Sequence, residues 1–220
     1  ELEQILNSEC KVEFIDSGSF SAVAKVQDNI SLQFFAAKII PLNDMKSQDE
    51  MNMIYNEINI LFSIDHPNII KIYNWFNIKN NQNDEFIVII EEYCINGNLV
   101  NYMNNSGLNS EFVKKNIEFG LIKAIDYLHR NGIAHCDIKP DNVLIDENHS
   151  AKLCDFGFAK LINNSSDLTR WGTVGFNAPE LYRSGMVNFI KSDIWSIGIT
   201  LYTISEHEFP FQSYENAQNG

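Results

Sequence analysis

His135-Cys136-Asp137-Ile138-Lys139-Pro140-Asp141-Asn142-Val143-Leu144 is the stretch whose reading decides the fold. Three of its polar side chains, Asp137, Lys139 and Asn142, fall within six residues. A carboxylate at 137 can accept a proton from a hydroxyl group. An ammonium at 139 can neutralise phosphate charge. An amide oxygen at 142 is a hard ligand of the kind magnesium takes. Taken alone, the run also fits an ordinary turn, because Asp, Asn and Pro are common turn formers. The surroundings therefore decide.

Downstream, Asp155-Phe156-Gly157 adds a second oxygen ligand, and Ala178-Pro179-Glu180 follows. In this order the three motifs resemble the catalytic loop, Asp-Phe-Gly and Ala-Pro-Glu of eukaryotic protein kinases. The resemblance implies an α+β, two-lobed protein-kinase-like fold. Residues 1–92 would be the nucleotide-binding N-lobe, a small antiparallel sheet plus one helix. Residues 93–220 would be a mainly helical C-lobe carrying the catalytic and activation segments. It further implies ATP and Mg2+, with Asp137, Lys139 and Asn142 as catalytic residues and Asn142 and Asp155 as the metal ligands.

Upstream, Asp16-Ser17-Gly18-Ser19-Phe20-Ser21-Ala22-Val23 resembles the family's glycine-rich loop, where a bare backbone approaches the ATP phosphates. Only Gly18 of its three glycines is kept. Asp16 and Ser21 replace the others, which should weaken nucleotide binding. Ala36-Ala37-Lys38 resembles the third-strand lysine that holds the first two phosphates, and Glu57 on the next helix resembles its acidic partner. Phe86 to Tyr93 reads as a strand running into the hinge that receives adenine, with Glu92 and Cys94 as its binding residues. By alignment Glu91 is the gatekeeper. A charge there needs a partner, and a one-residue slip is the competing alignment. Ile15, Val23, Ala36 and Leu144 match the apolar shell around adenine. Leu61, Ile72, His135 and Phe156 match the internal stack of an active kinase.

Lys139, two residues after Asp137, is the serine/threonine pattern. Thr173 resembles the threonine that supports Asp137 and Lys139, and Phe176 replaces the usual tyrosine. Asp141 stands where kinases that prefer basic substrates carry an acid. The subfamily stays open between calmodulin-dependent and cyclic-nucleotide-dependent types. A pseudokinase or scaffold is the alternative function, favoured by the eroded glycine loop and by Glu91.

Composition agrees with a folded chain: 220 residues, 45% hydrophobic and 12% aromatic. The formal charge of −13 argues against nucleic acid or an anionic membrane as main partner. It mildly favours protein substrates with basic residues near the site, although solubility alone explains it as well. Cys10, Cys94, Cys136 and Cys154 form no Cys-x-x-Cys pair, so a zinc site is not expected. A reducing cytoplasmic setting, with the nucleus possible, follows from the cysteines and from the lack of a signal peptide or membrane-length apolar run.

Strands are expected at Val12 to Ile15, Ala22 to Val26 and Phe34 to Ile40, after a short helical lead-in over residues 1–10. Apolar spacing predicts a helix from Met51 to Ile64 with Met51, Ile54, Ile58, Leu61 and Phe62 inside. It predicts a second from Ser110 to Asn131 with Phe112, Ile117, Leu121, Ile125 and Leu128 inside, stopped by Gly132. Val143 to Ile145 and Ala151 to Cys154 read as a hairpin, and residues 193–204 as an apolar helix. Residues 158–177 are the activation segment, with Ser165, Ser166, Thr169 and Thr173 as hydroxyls. Cys136 replaces a common arginine, so a phosphate at Thr169 would find Lys160 as its cation and little else. Activity independent of that phosphorylation is expected. The chain starts without Met and lacks the family's last three helices and the arginine that pairs with Glu180, so it reads as a C-terminally truncated domain.

Overall fold

Period-two alternation of small and branched residues builds a five-stranded antiparallel sheet in the computed structural model. The structure describes residues 10–17, 21–43, 45, 47–105, 108, 110–162, 172–183 and 186–211. The strands are β1 (Cys10–Ser17), β2 (Ala22–Asp28), β3 (Phe34–Pro41), β4 (Ile72–Lys79) and β5 (Glu85–Glu92), in the order β1-β2-β3-β5-β4. Ala24, Val26, Ala37, Ile39 and Val88 are buried on one face, with Val12, Phe76, Ile78 and Ile90 packed against them. Burying each Val or Ile side chain contributes about 1.5–3 kcal/mol, which holds the register against a one-residue slip. Lys38 lies on the other face, opposite Ile89.

The chain divides into two units, residues 1–62 with 71–94, and residues 63–70 with 95–220. Cys94 ends the first unit, and residues 63–70 go with the second. Hydrogen bonds explain the latter: Ile70 N–H donates to Leu153 O at 2.9 Å and Asn68 Nδ2 to Ala151 O at 2.9 Å.

The first unit also holds α1 (Gln48–Ser63). It starts three residues before the expected Met51. Ser47 Oγ accepts from Glu50 N–H and Glu50 Oε2 accepts from Ser47 N–H, both at 3.3 Å, a reciprocal capping box. Ile54, Glu57, Ile58, Ile60 and Leu61 are buried, whereas Phe62 is exposed, correcting its assignment to the inner side. The lead-in over residues 1–9 and the loop residues 18–20, Gly18 among them, lie outside the described residues.

The second unit contains α2 (Leu99–Asn104), α3 (Glu111–Arg130), β6 (Ile133–Ala134), β7 (Val143–Ile145), β8 (Ala151–Leu153), β9 (Lys160–Leu161) and α4 (Phe189–Glu206). β7 pairs antiparallel with β8 and β6 with β9. Ile117, Leu121, Ile125 and Leu128 of α3 are buried, but Phe112 is 79% exposed. Five residues before Ile117 is about 140° around a helix, so Phe112 faces away from the stripe. Gly132 stops the helix at φ +68°, where its lack of Cβ removes the left-handed penalty. No helix among the described residues is long and apolar enough to cross a membrane.

His66 stacks on Tyr127 and accepts Asn68 N–H at Nδ1, 3.1 Å. Desolvation first, then Lys123, lowers its pKa from the ordinary 6.5. The unfolded chain therefore takes up a proton first, so stability is complete above pH 6.5 and falls as pH drops below it. Melting temperature should decline from pH 7.5 to 5.5, and His66→Asn should flatten part of that decline. An unchanged slope in the variant would remove His66 from the account.

Candidate active site

In the first unit, Lys38 of β3 reaches α1 and donates from Nζ to Glu57 Oε1 at 2.8 Å and Oε2 at 2.9 Å. Glu57 is 5% exposed and Lys38 20% at the side chain. Breaking so enclosed a pair by removing one partner costs about 3–5 kcal/mol, because the other charge stays buried. Ala36 is buried, Val23 is half-buried and Ile15 is half exposed. Glu91 and Glu92 end β5 half-buried, Cys94 is buried, and Glu92 N–H donates to Lys71 O at 2.8 Å.

In the second unit, His135 to Asn142 bridges β6 and β7 through a 3-10 turn at Pro140–Asn142. Asp137 is its centre. Oδ2 accepts from Lys139 Nζ and from Asn142 Nδ2, each at 2.9 Å. Oδ1 accepts from Thr173 Oγ1 at 2.7 Å, and Lys139 Nζ also donates to Thr173 Oγ1 at 2.6 Å. A carboxylate offers about four lone-pair positions. Three are taken, and the position left belongs to Oδ1. Leu144, from the expected adenine shell, is half-buried on β7 and bridges to Asn98.

Beneath the loop lies the carboxylate of Asp193 on α4, 1% exposed. Oδ2 accepts His135 N–H at 2.8 Å and meets His129 Nε2 at 2.9 Å, while Oδ1 accepts Cys136 N–H at 2.9 Å. These bonds hold Cys136 at φ +66°, a left-handed conformation costly for a residue with a Cβ. The fully buried His135 donates from Nε2 to Cys154 O at 3.0 Å and accepts Asp137 N–H at Nδ1, which fixes the Nε2–H tautomer. Its ring meets Phe156 edge-on at 4.7 Å. Leu61 and Ile72 of the expected stack are buried as well.

Asn142 spends Nδ2 on Asp137, whose backbone O it also binds at 2.9 Å, so its Oδ1 is the atom left to face a cation. With the Asp155 carboxylate, held at φ +64°, this makes a hard oxygen donor set suited to magnesium. No cluster of three His, Cys, Asp or Glu residues arranged for a metal occurs among the described residues.

Ser165, Ser166 and Thr169 lie outside the described residues. Lys160, expected to meet a phosphate there, is buried with its ammonium 4.5 Å from the Phe189 ring centroid. Gly172 has φ +127°, and a Cβ on it would run into Asn177 Oδ1 and lie 2.8 Å from Cys136 O. Gly172→Ala should therefore displace Thr173 from Asp137 and lower turnover at least about tenfold. Full activity in a folded variant would show that Thr173 need not be fixed this tightly.

A profile of the protein kinase domain matches residues 10–220. Serine/threonine-protein kinase RUNKEL of Arabidopsis thaliana is 32% identical over 209 residues, 94% of this chain and 14% of that protein. Calcium-dependent protein kinase 6 of Plasmodium berghei (strain Anka) is 38% identical over 207 residues, 91% and 13% of the respective lengths. Human NUAK family SNF1-like kinase 1 is 31% identical over 205 residues, 93% and 30%. The chain thus spans at most 30% of the length of these relatives.

Proposed function

The chain belongs to the protein kinase domain family, and on that premise we propose that it transfers the γ-phosphate of ATP to serine or threonine hydroxyls of protein substrates. One observation carries the reading. Asp137 is held by Lys139, Asn142 and Thr173 through three donors, with one lone-pair position left on Oδ1. That position is the acceptor for the substrate hydroxyl. As the hydroxyl oxygen attacks phosphorus, its proton passes to Asp137. Lys139 offsets charge on the transferring group. In the other unit, Lys38, fixed by Glu57, neutralises the first two phosphates, and Gly18, Ile15, Val23, Ala36, Glu92 and Cys94 contribute to nucleotide binding, as does Leu144 of β7 in the second unit. Asn142 and Asp155 would hold Mg2+, which supplies charge neutralisation at the phosphates when bound.

Asp141 is exposed beside the catalytic turn, which supports substrates with a basic residue near the phosphorylated position. All four cysteines are thiols, which supports a reducing cytoplasmic or nuclear setting. The burial of Lys160 against Phe189 supports activity that does not wait for phosphorylation at Thr169. The protein kinase domain match and the serine/threonine kinase relatives support the kinase reading over the scaffold alternative.

The test is incubation with γ-labelled ATP, Mg2+ and a basic protein, followed by phosphoamino-acid analysis. Label on serine and threonine, abolished by chelation of the metal, is expected. Absence of transfer in the full-length protein overturns the assignment.

A further inference from the structure

Thr200 Oγ1 of α4 donates to Ser196 O and Thr203 Oγ1 to Ile199 O, each at 2.9 Å. That is the ordinary use of a helix hydroxyl, back to the carbonyl four residues earlier. Ser196, which is buried, differs. Its Oγ lies 3.1 Å from Ser192 O, the same back-bond, but only 2.8 Å from Phe176 O on another segment. A hydroxyl has one proton to give. The shorter contact takes it out of the helix and onto the turn that carries Thr173.

In that turn Phe176 N–H and Asn177 N–H both donate to Thr173 O at 3.1 Å. Holding Phe176 therefore holds the backbone from which the Thr173 hydroxyl reaches Asp137 Oδ1 at 2.7 Å. Gly175, inside the turn, has φ +97°. Glycine leaves the turn free to relax once a tether is lost. Three residues before Ser196, on the same side of α4, stands Asp193. Its carboxylate accepts His135 N–H and Cys136 N–H. One side of α4 thus grips Asp137 twice, through the backbone just before it and through the turn that supplies its hydroxyl donor. We propose that Ser196 is a positioning residue of the catalytic site, whose bond to Phe176 O fixes the Thr173 turn and so the direction of Asp137 Oδ1. The inference rests on the kinase reading, in which Asp137 accepts the substrate proton.

The experiment is a double-mutant cycle in the full-length protein, reading kcat, KM for ATP and melting temperature. Ser196→Ala, and Ser196→Cys as a second side chain that donates only weakly, are each compared with Ser196 in the Thr173 and Thr173→Ala backgrounds. Alanine suits a helix interior, and rates are read well below each variant's melting point. Either substitution suffices. With Thr173 present, kcat should fall about tenfold, the rate equivalent of one lost hydrogen bond, while KM for ATP is unchanged. In the Thr173→Ala background the same change should leave kcat unaltered. Melting temperature should drop in both backgrounds, because the Phe176 carbonyl loses this donor in each. An unchanged kcat with Thr173 present confines Ser196 to stability and overturns the proposal. An equal loss of kcat in both backgrounds means that Ser196 acts by a route other than Thr173, and overturns it too. Absence of phosphate transfer by the parent protein would overturn the kinase reading itself, a result distinct from these.

Discussion

Asp137→Asn should lower turnover by about 10²–10⁴-fold, the usual contribution of a positioned general base. The amide keeps the shape of the carboxylate but cannot take the substrate proton. One of its ends also becomes a donor, turned toward either Thr173 Oγ1 or the donors on Lys139 and Asn142. ATP affinity should change little, because the role proposed for Asp137 is toward the hydroxyl and not the nucleotide. Phosphate transfer and ATP titration on the same preparation separate the two effects. Near-normal turnover in a folded variant would mean that Asp137 is not the base. A matching loss of ATP binding would mean that the substitution disturbs more than proton transfer.

The second large effect is expected at Asp193, which holds the backbone of the loop just before Asp137. Asp193→Asn puts an amide N–H where the carboxylate accepted from His135 N–H, Cys136 N–H and His129. At least one buried donor then loses its acceptor. A loss of about 1–3 kcal/mol in stability is expected for each buried donor left unsatisfied. Cys136 would also be freed to leave its left-handed conformation, carrying Asp137 with it. Turnover should fall at least about 100-fold even at temperatures where the variant is folded, since misplacement by about 1 Å has that effect. Chemical denaturation and kinetics at low temperature test both parts. A variant that is destabilised but fully active when folded would confine Asp193 to stability.

Much of this site is legible in the chain because its parts lie close in sequence. Asp137, Lys139 and Asn142 are within one turn, so residue type and spacing almost specify their geometry. Thr173 is 36 residues from Asp137, and only the resemblance to a known family pointed to it. His129 carries no such signal. It is a lone histidine in the last turn of α3, and its bond to Asp193 spans 64 residues. Helix faces were legible where apolar residues recur over several turns, as at Ile117, Leu121, Ile125 and Leu128. They were misread at the ends, where Phe62 and Phe112 lie outside the stripe. The start of α1 was written in Ser47 and Glu50 and went unread, because apolar spacing does not register polar caps. The register that sets Ala36 opposite Glu91 depends on how two strands pair, and no single strand encodes it.

Cys136 and Asp155 both adopt left-handed backbone conformations without being glycine. Such residues cost of order 1–3 kcal/mol each, less for Asp, which tolerates this region better than most. Selection for robustness alone would favour Gly or Asn at both positions. Efforts to make this protein more heat-resistant would single out the same two sites, since relieving backbone strain is among the simplest routes to stability. Yet Cys136 aims Asp137, and Asp155 is the carboxylate proposed to hold the metal. Relaxing either would widen the range of directions available to a group that must point one way. Consensus or glycine substitutions here trade thermal tolerance against catalytic output, so stabilising changes belong elsewhere, on the exposed surface of α3 for example.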